Sequence, residues 1–526
     1  MRVFSVISLL LLARVAAAQS ETPTSQPSIQ PASQPASDGK DEIARAMREA
    51  ASAFGGAGPA VAEIKAGKSA TEVNGYVSNR LSYGWNNTAS FIPVNDQPQL
   101  QELFELNLQL RRPLWENAFA YVDASAFLQA DGDYVKAGLH GQRENAALHD
   151  VAAFHPQLVV SEAYVSYSPV PNLNVLIGKK RIVWGAGFAF NPTDLLNPPK
   201  DPTDPNLQRA GAYLARIELP FESTTLTVLA APKVLYQANG LPYQALVYPS
   251  YPSATVSPDP HDHLAHYLLA ARWYLLLLNS DINLMYFFSN AYADSFKNKS
   301  RVGLSFSRYF FTDYELHVEA LAQEGTTRQY VNGACVAQGL ASAAQCSASG
   351  APLFGAFNQD DGHLYARVLV GTRRVFADES QLSLEYLYVG DGLTPGQFKN
   401  YASGLVLAQQ AQVSLAASGS TSGGLINRFT LDPLRRHYLF LNYAKPKIFD
   451  DWTVGAVVLA DLEDLSGLVV PTVTWNTFEW LNLQLSGFIP VKTTAFGTDV
   501  GNGRKISEYS LVPFDWRVLF EARFFY

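Results

Sequence analysis

Cysteine is almost missing from this chain of 526 residues: Cys335 and Cys346 are the only two, and both fall in one Gly/Ala/Ser-rich stretch. With no further ligands nearby they exclude a structural zinc centre, which takes four donors, and their spacing is not that of a redox pair. In an exported chain the two read as a disulfide within a loop. Charge is thin as well, at 16% of residues, and 47 acidic against 39 basic side chains leave a net charge of −8. Without a basic excess, nucleic acid is not an expected partner. Long apolar runs are missing beyond the N-terminus. A helix that spans a bilayer needs about 20 apolar residues, and the best stretch, Tyr274 to Phe288, is broken by Asn279-Ser280-Asp281. No Gly-rich phosphate loop leads into a helix. What the chain has in quantity is aromatic side chains, 12% of the total, at a mean hydropathy close to neutral. That mixture suits strands that alternate between lipid and water; a large secreted β protein is the other reading.

The N-terminal residues read as an export signal. Arg2 supplies the charge, Val3 to Leu12 the apolar core, and Ala16-Ala17-Ala18 the small residues for cleavage, so residues 1–18 are assigned to a signal peptide. No cysteine follows the cleavage site, which argues against a lipoprotein. Residues 19–40 contain a Pro/Ser/Gln/Thr tract that cannot bury enough apolar surface to order itself, and read as a disordered linker. Residues 41–72 form a short helical extension. Ile43, Ala44, Met47, Ala51 and Phe54 share one face, and Gly55-Gly56 stops the helix. It packs beneath the following domain, docks a partner, or stays mobile.

From Val73 to Tyr526 the period becomes two, with eighteen candidate strands. In the last one, Trp516, Val518, Phe520, Ala522, Phe524 and Tyr526 face one way while Arg517, Glu521 and Arg523 face the other. The connections alternate between short turns, such as Ser168-Pro169-Val170-Pro171 and Pro220-Phe221-Glu222, and long loops, such as 130–156, 184–206, 325–361 and 390–433. The expected fold is all-β: a transmembrane antiparallel up-and-down β-barrel of eighteen strands, sixteen being the alternative count. Such a barrel satisfies every backbone polar group in hydrocarbon. Alternation places Glu105, Arg111, Arg216, Glu315, His317, Glu319, Arg367, Arg373, Arg517, Glu521 and Arg523 on the lumen side. Trp115, Tyr309 to Phe311, Phe376, Trp452, Trp475 and Trp480 cluster by the short turns, as an interfacial girdle would.

Two stretches carry a resemblance. The final segment, WRVLFEARFFY, resembles the C-terminal signal of Gram-negative outer-membrane barrels, which implies that the barrel assembly machinery reads this strand and that Phe524 and Tyr526 belong to the mark. Residues 177–198, IGKKRIVWGAGFAFNPTDLLNP, are similar to a Trp-Gly…Asp…Asn-Pro stretch in uncharacterised proteobacterial porin-like barrels, with Lys179-Lys180 in place of Arg-Gln. In general porins the third external loop folds inward and narrows the channel. By that likeness the loop 184–206, stiffened by prolines, constricts the lumen, with Asp194, Lys200, Asp201 and Asp204 as constriction candidates facing Arg216, Arg367, Arg373 and Arg517 across it.

The remaining motifs have plainer readings. His261-Asp262-His263 is a loop-to-strand junction, Asp360-Asp361-Gly362 and Asp391-Gly392 mark strand ends, and Asp461, Glu463 and Asp464 form a solvated loop tip or a divalent bridge to lipopolysaccharide. His317 between Glu315 and Glu319 has no nucleophile placed beside it, so catalysis is not expected. Nor are a metal or a cofactor. The expected function is a porin-like channel in the outer membrane for small hydrophilic or weakly amphiphilic solutes. The rivals are export of a surface polysaccharide and an adhesive barrel with a closed lumen. Expected partners are outer-membrane lipid, lipopolysaccharide, the assembly machinery and a periplasmic protein at the N-terminal helix; oligomeric state is left open.

Overall fold

In the computed structural model the chain is described over residues 71–86, 100–131, 154–197, 200–203, 209, 211–232, 267–289, 299–311, 313–326, 330–331, 333–337, 354–355, 363–410, 433–478, 480–501, 503–512 and 514–526. The signal peptide, the linker and the helical extension up to residue 70 lie outside these residues, as do Asp204, Cys346, His261-Asp262-His263 and Asp360-Asp361-Gly362. Nothing described therefore bears on the Cys335–Cys346 bridge. Among the described residues no helix is long and apolar enough to cross a membrane.

Eighteen strands form one antiparallel sheet. They are β1 (Glu72–Asn86), β2 (Leu100–Trp115), β3 (Ala118–Asp131), β4 (Phe154–Val170), β5 (Leu173–Lys180), β6 (Ala212–Pro220), β7 (Thr224–Pro232), β8 (Tyr267–Leu277) and β9 (Ser280–Ser289). The second half holds β10 (Lys299–Phe310), β11 (Tyr314–Glu324), β12 (Leu364–Val375), β13 (Gln381–Val389), β14 (His437–Ile448), β15 (Trp452–Asp461), β16 (Gly467–Phe478), β17 (Leu481–Val491) and β18 (Phe514–Phe525). Each pairs with its neighbour in sequence, and β18 closes the ring on β1 from Tyr76↔Phe525 to Asn86↔Phe514. The expected count of eighteen, and the closed barrel, hold.

Alternation follows from the pleat, which sends successive side chains to opposite faces. In β2, Leu103, Glu105 and Asn107 are buried on the inner face, while Leu106 and Leu108 are exposed on the outer one. In β11 the inner face carries Glu315, His317, Glu319, Leu321 and Gln323, all buried. The outer face is an apolar coat in which Ile177, Ile217, Val228, Leu269, Val302, Val370 and Leu485 are exposed.

Short turns lie at one end of the barrel. At Leu278-Asn279 both residues have positive φ, 54° and 56°, as a two-residue hairpin that matches the strand twist requires. Aromatic rings collect at this end: Trp452 stacks on Trp475 at 5.4 Å, and Phe478 on Trp480 at 5.0 Å. Tyr309 departs from that girdle, because its hydroxyl accepts a hydrogen bond from Arg373 on the inner wall. The other end carries the long loops and a helix, α1 (Pro395–Gln410).

Candidate functional site: a loop folded into the lumen

After Lys180 the chain leaves the wall and enters the barrel. The base of this third loop packs on the inner face of β5 to β9: Ile182, Trp184 and Leu196 join Leu214, Leu229, Leu268 and Phe287 in one apolar cluster. The Trp184 ring lies 5.5 Å from that of Phe287. The loop then crosses to the opposite wall. Phe188, Ala189 and Phe190 are buried with Leu369, Leu387, Tyr438, Phe440 and Val457, on β12 to β15. Phe188 and Phe190 meet Phe440 at 5.9 and 6.3 Å.

Two carboxylates, Glu319 of β11 and Glu385 of β13, hold the crossing. Glu319 Oε1 accepts from the backbone N–H groups of Ala186 (2.6 Å) and Gly187 (2.7 Å), and its Oε2 accepts from Thr193 N–H (3.2 Å) and Thr193 Oγ1 (2.7 Å). Glu385 accepts from the N–H groups of Phe188, Ala189 and Phe190. Both glutamates are fully buried. A buried carboxylate is tolerable only with its lone pairs filled, and here peptide N–H groups of the loop fill them. The glycines of Trp-Gly-Ala-Gly make this approach feasible. Gly185 has φ +125°, and a Cβ there would stand 2.5 Å from Glu319 Oε1; at Gly187 it would stand 1.9 Å from the Phe190 carbonyl oxygen. Lys200 completes the clamp by donating to the carbonyls of Gly187 (3.1 Å) and Phe188 (2.7 Å). Burial pushes its ammonium down to about 8, Arg209 adding to the effect.

His317 orients Glu385, its Nε2 lying 3.0 Å from Oε1. The imidazole lies over Gly371 of β12, where a Cβ would come within 2.1 Å of Nε2. Further round the wall a polar belt runs from β18 to β3. Arg523 pairs with Glu521 at 2.7 Å, Arg80 bridges Glu521 (3.1 Å) and Glu105 (3.7 Å), and Asn107 donates to Asp123 at 2.7 Å.

The constriction candidates sit as follows. Asp194 pairs with Arg209 of its own loop at 2.8 Å and accepts from Asn197 at 2.6 Å. Asp201 accepts from Thr203 N–H and hydroxyl. These acids thus tie the loop to itself, and the arginines expected opposite them have other partners. Arg216 meets Glu218 (3.5 Å), Arg367 meets Asp391 (3.1 Å), Arg373 meets Glu315 (2.6 Å), and Arg517 lies over the ring of Phe514 (5.0 Å). Arg111 lies near the short-turn end over Phe119. Asp391 is thereby an ion-paired anchor as well as a strand end. The acidic loop tip is not solvated: Asp461 and Asp464 are buried, and Glu463 pairs with Arg435 at 2.8 Å.

The sequence reading missed Glu385, Arg80, Trp184, Arg435 and Glu508. Glu385 was signalled only by alternation in QLSLEYLYV, where one inward acid looks like any other lumen residue.

Fold and loop together define a closed transmembrane β-barrel with its third long loop folded into the lumen. No protein-family model matches the chain, and no curated protein sequence does. Among solved structures it is similar to OccK1 (OpdK) of Pseudomonas aeruginosa, at 8% identity over 87% of this chain and 98% of that one, with a TM-score of 0.43. OccK2 (OpdF) of the same organism, solved with glucuronate, gives 11% identity, coverage of 86% and 98%, and a TM-score of 0.43. OmpF of Salmonella typhi, in complex with daunomycin, gives 9%, 87% and 97%, and 0.37.

Proposed function

We propose that the chain is a porin-like channel of the bacterial outer membrane, through which small hydrophilic or weakly amphiphilic solutes pass passively. The observation that carries this is the pinning of the third loop across a charged, water-compatible lumen by Glu319 and Glu385. An adhesive barrel has no need of a loop fixed inside it. Export by the residue 1–18 signal, assembly through the Phe524/Tyr526 strand end, and a Cys335–Cys346 bridge in the connection 325–363 belong to the same reading. The likeness of IGKKRIVWGAGFAFNPTDLLNP to porin-like barrels supports it, because that stretch is the loop segment the two glutamates hold.

The test is conductance of the purified protein in planar bilayers. Discrete, ohmic openings are expected. Glu385→Gln replaces a charged acceptor of several buried hydrogen bonds, each worth about 1.5–3 kcal/mol, and is expected to raise open-channel noise and unit conductance by loosening the loop. A wild-type protein that inserts yet passes no current would sink the proposal.

A further inference from the structure

We infer that a second copy of this chain docks on the outer face of β1 and β2, side by side in the membrane, through Asn79 and Glu102. The inference goes beyond the channel reading and shares with it only a barrel that lies in a bilayer.

The pleat decides which side chains face out. In β1, Ser78, Arg80 and Ser82 are buried towards the lumen while Leu81, Tyr83 and Trp85 are exposed, so Asn79 faces outward. In β2, Leu103, Glu105 and Asn107 are buried while Leu106 and Leu108 are exposed, so Glu102 faces outward as well. The two meet diagonally across the strand pair, where Leu81 stands opposite Glu102 and Asn79 opposite Phe104. Asn79 Nδ2 donates to Glu102 Oε1 at 2.8 Å, and both residues are half-buried.

Their depth sets this pair apart. The outward residues of β1 run from Gly75, covered by the Tyr526 ring, to Tyr83, whose ring lies 5.8 Å from that of Trp516. Asn79 is four residues from each, roughly 13 Å along the strand at about 3.3 Å per residue. It lies midway between two aromatic positions of the kind that mark the membrane interfaces. Glu102 turns its carboxylate towards Asn79, away from the nearby strand end at Leu100. Other outward charges, such as Arg374 with Asp313 (3.7 Å) and Lys445 with Asp378 (2.5 Å), stand beside short turns, where water reaches them. Among the described residues no cation pairs with Glu102. Hydrocarbon solvates neither a carboxylate nor a carboxamide, so the pair is destabilising against lipid and tolerable against a surface that offers donors and acceptors.

A second copy offers both. With one amide hydrogen given to Glu102 Oε1, the pair still presents the other hydrogen and the carbonyl oxygen of Asn79, together with Glu102 Oε2. A two-fold axis along the membrane normal keeps depth and exchanges left with right. Asn79 of each copy then faces the carboxylate of the other, which is the self-matching arrangement of an isologous contact. The surrounding surface allows close approach. Ala522 of β18 lies opposite Asn79 and Ala126 of β3 opposite Leu106, both small, with Leu81, Leu106 and Phe520 exposed about them. A membrane protein of another sequence needs a matching polar pair at this depth; a copy carries it by construction.

The experiment reads association in the membrane by cross-linking, with Cys335 and Cys346 replaced by Ser throughout. Leu81→Cys is expected to be joined into a two-chain band by a short bis-maleimide, and Val370→Cys, exposed on the outer face of β12, is not. Adding Asn79→Leu and Glu102→Leu to Leu81→Cys should cut the band at least tenfold. Heat-modifiable mobility should stay that of a folded barrel, because leucine suits a lipid face. Glu102→Gln, which keeps an acceptor, should cut the band less. No band from Leu81→Cys, a band of another mass, an equal band from Val370→Cys, or a band that survives the double leucine replacement in a folded barrel overturns the interface. None of these readouts needs current, which bilayer recording measures separately. A two-chain protein that never conducts sinks the channel reading and leaves the interface standing, and a conducting protein without the band does the reverse.

Discussion

The last residue of the chain does more than end a strand. Tyr526 donates its backbone N–H to Gly75 O at 3.1 Å and its hydroxyl to Asn107 O at 2.8 Å, so it spans the seam between β18, β1 and β2. Its ring occupies the space left by Gly75, where a Cβ would meet Asn107 O at 2.3 Å and the Tyr526 hydroxyl at 2.5 Å. An aromatic ring over a strand glycine restores packing that the glycine forgoes. Gly75→Ala is expected to force the ring off the seam at a cost of about 1–3 kcal/mol. The measurement is the temperature at which the barrel converts to its unfolded mobility in detergent gels. Tyr526→Ala should lower that temperature less, since it removes the ring without adding a backbone clash. If Gly75→Ala melts like wild type, the seam does not depend on this contact.

At the scale of elements, the eighteen strands were legible because barrel strands obey one local rule, alternation, and their turns another. The path of the third loop was legible only through its likeness to porin-like barrels. The reason that the loop stays inside was not, because its anchors come from far along the chain. Glu385 is 197 residues from Phe188, and Arg80 is 441 residues from the Glu521 it pairs with. Pairings of this range are set by ring closure, which no local pattern encodes. The acidic stretch Asp461 to Asp464 was misread for the same cause: its partners lie on other loops. Arg435, stacked 4.3 Å over Phe398 of α1, is shared by Asp461, Glu463 and Asp464.

Into this cluster the loop between β17 and β18 inserts Glu508, on the 3₁₀ turn Glu508–Leu511. Tyr438 donates to both of its carboxylate oxygens, at 2.8 and 2.7 Å, and its own N–H donates to Asp464 at 2.7 Å. Burial pushes the Glu508 carboxyl up to about 7, with repulsion from Asp464 acting in the same direction. A carboxyl raised in the closed loop favours closure while protonated. That contribution is full below the ordinary glutamate range, declines as pH rises towards 7, and is gone above it. Hydrogen exchange at the Glu508 and Tyr509 amides should therefore show protection, corrected for intrinsic rate, that falls between about pH 5 and 7 by at most about tenfold per unit. Glu508→Gln should flatten the dependence. Protection that rises over this interval would contradict the sign argued here.

For the whole molecule, the inner wall divides into two kinds of surface. From β12 to β18 the loop tip and the segment around Tyr509 and Val512 seal an apolar cluster, and from β5 to β9 the loop base seals a second. Neither cluster contains a residue of β1 to β3, where the inner face carries the belt of Arg80, Glu105, Asn107 and Asp123. A hydrated solute that crosses this barrel has to exchange water for polar partners, and it loses them wherever the wall is apolar. The passage is therefore expected to follow the polar arc and to avoid the sealed one. Single cysteines at Gln109 and Arg523 should react with a small charged thiol reagent in bilayers, and the adduct should cut conductance. The same replacement at Leu387, Phe440 and Val457 should react about tenfold more slowly or not at all, because those side chains sit beneath the loop. Cys335 and Cys346 are replaced by Ser throughout. Comparable rates at Phe440 and Gln109 would mean that the loop tip is not fixed against its wall, and that the division of the lumen into two arcs is wrong.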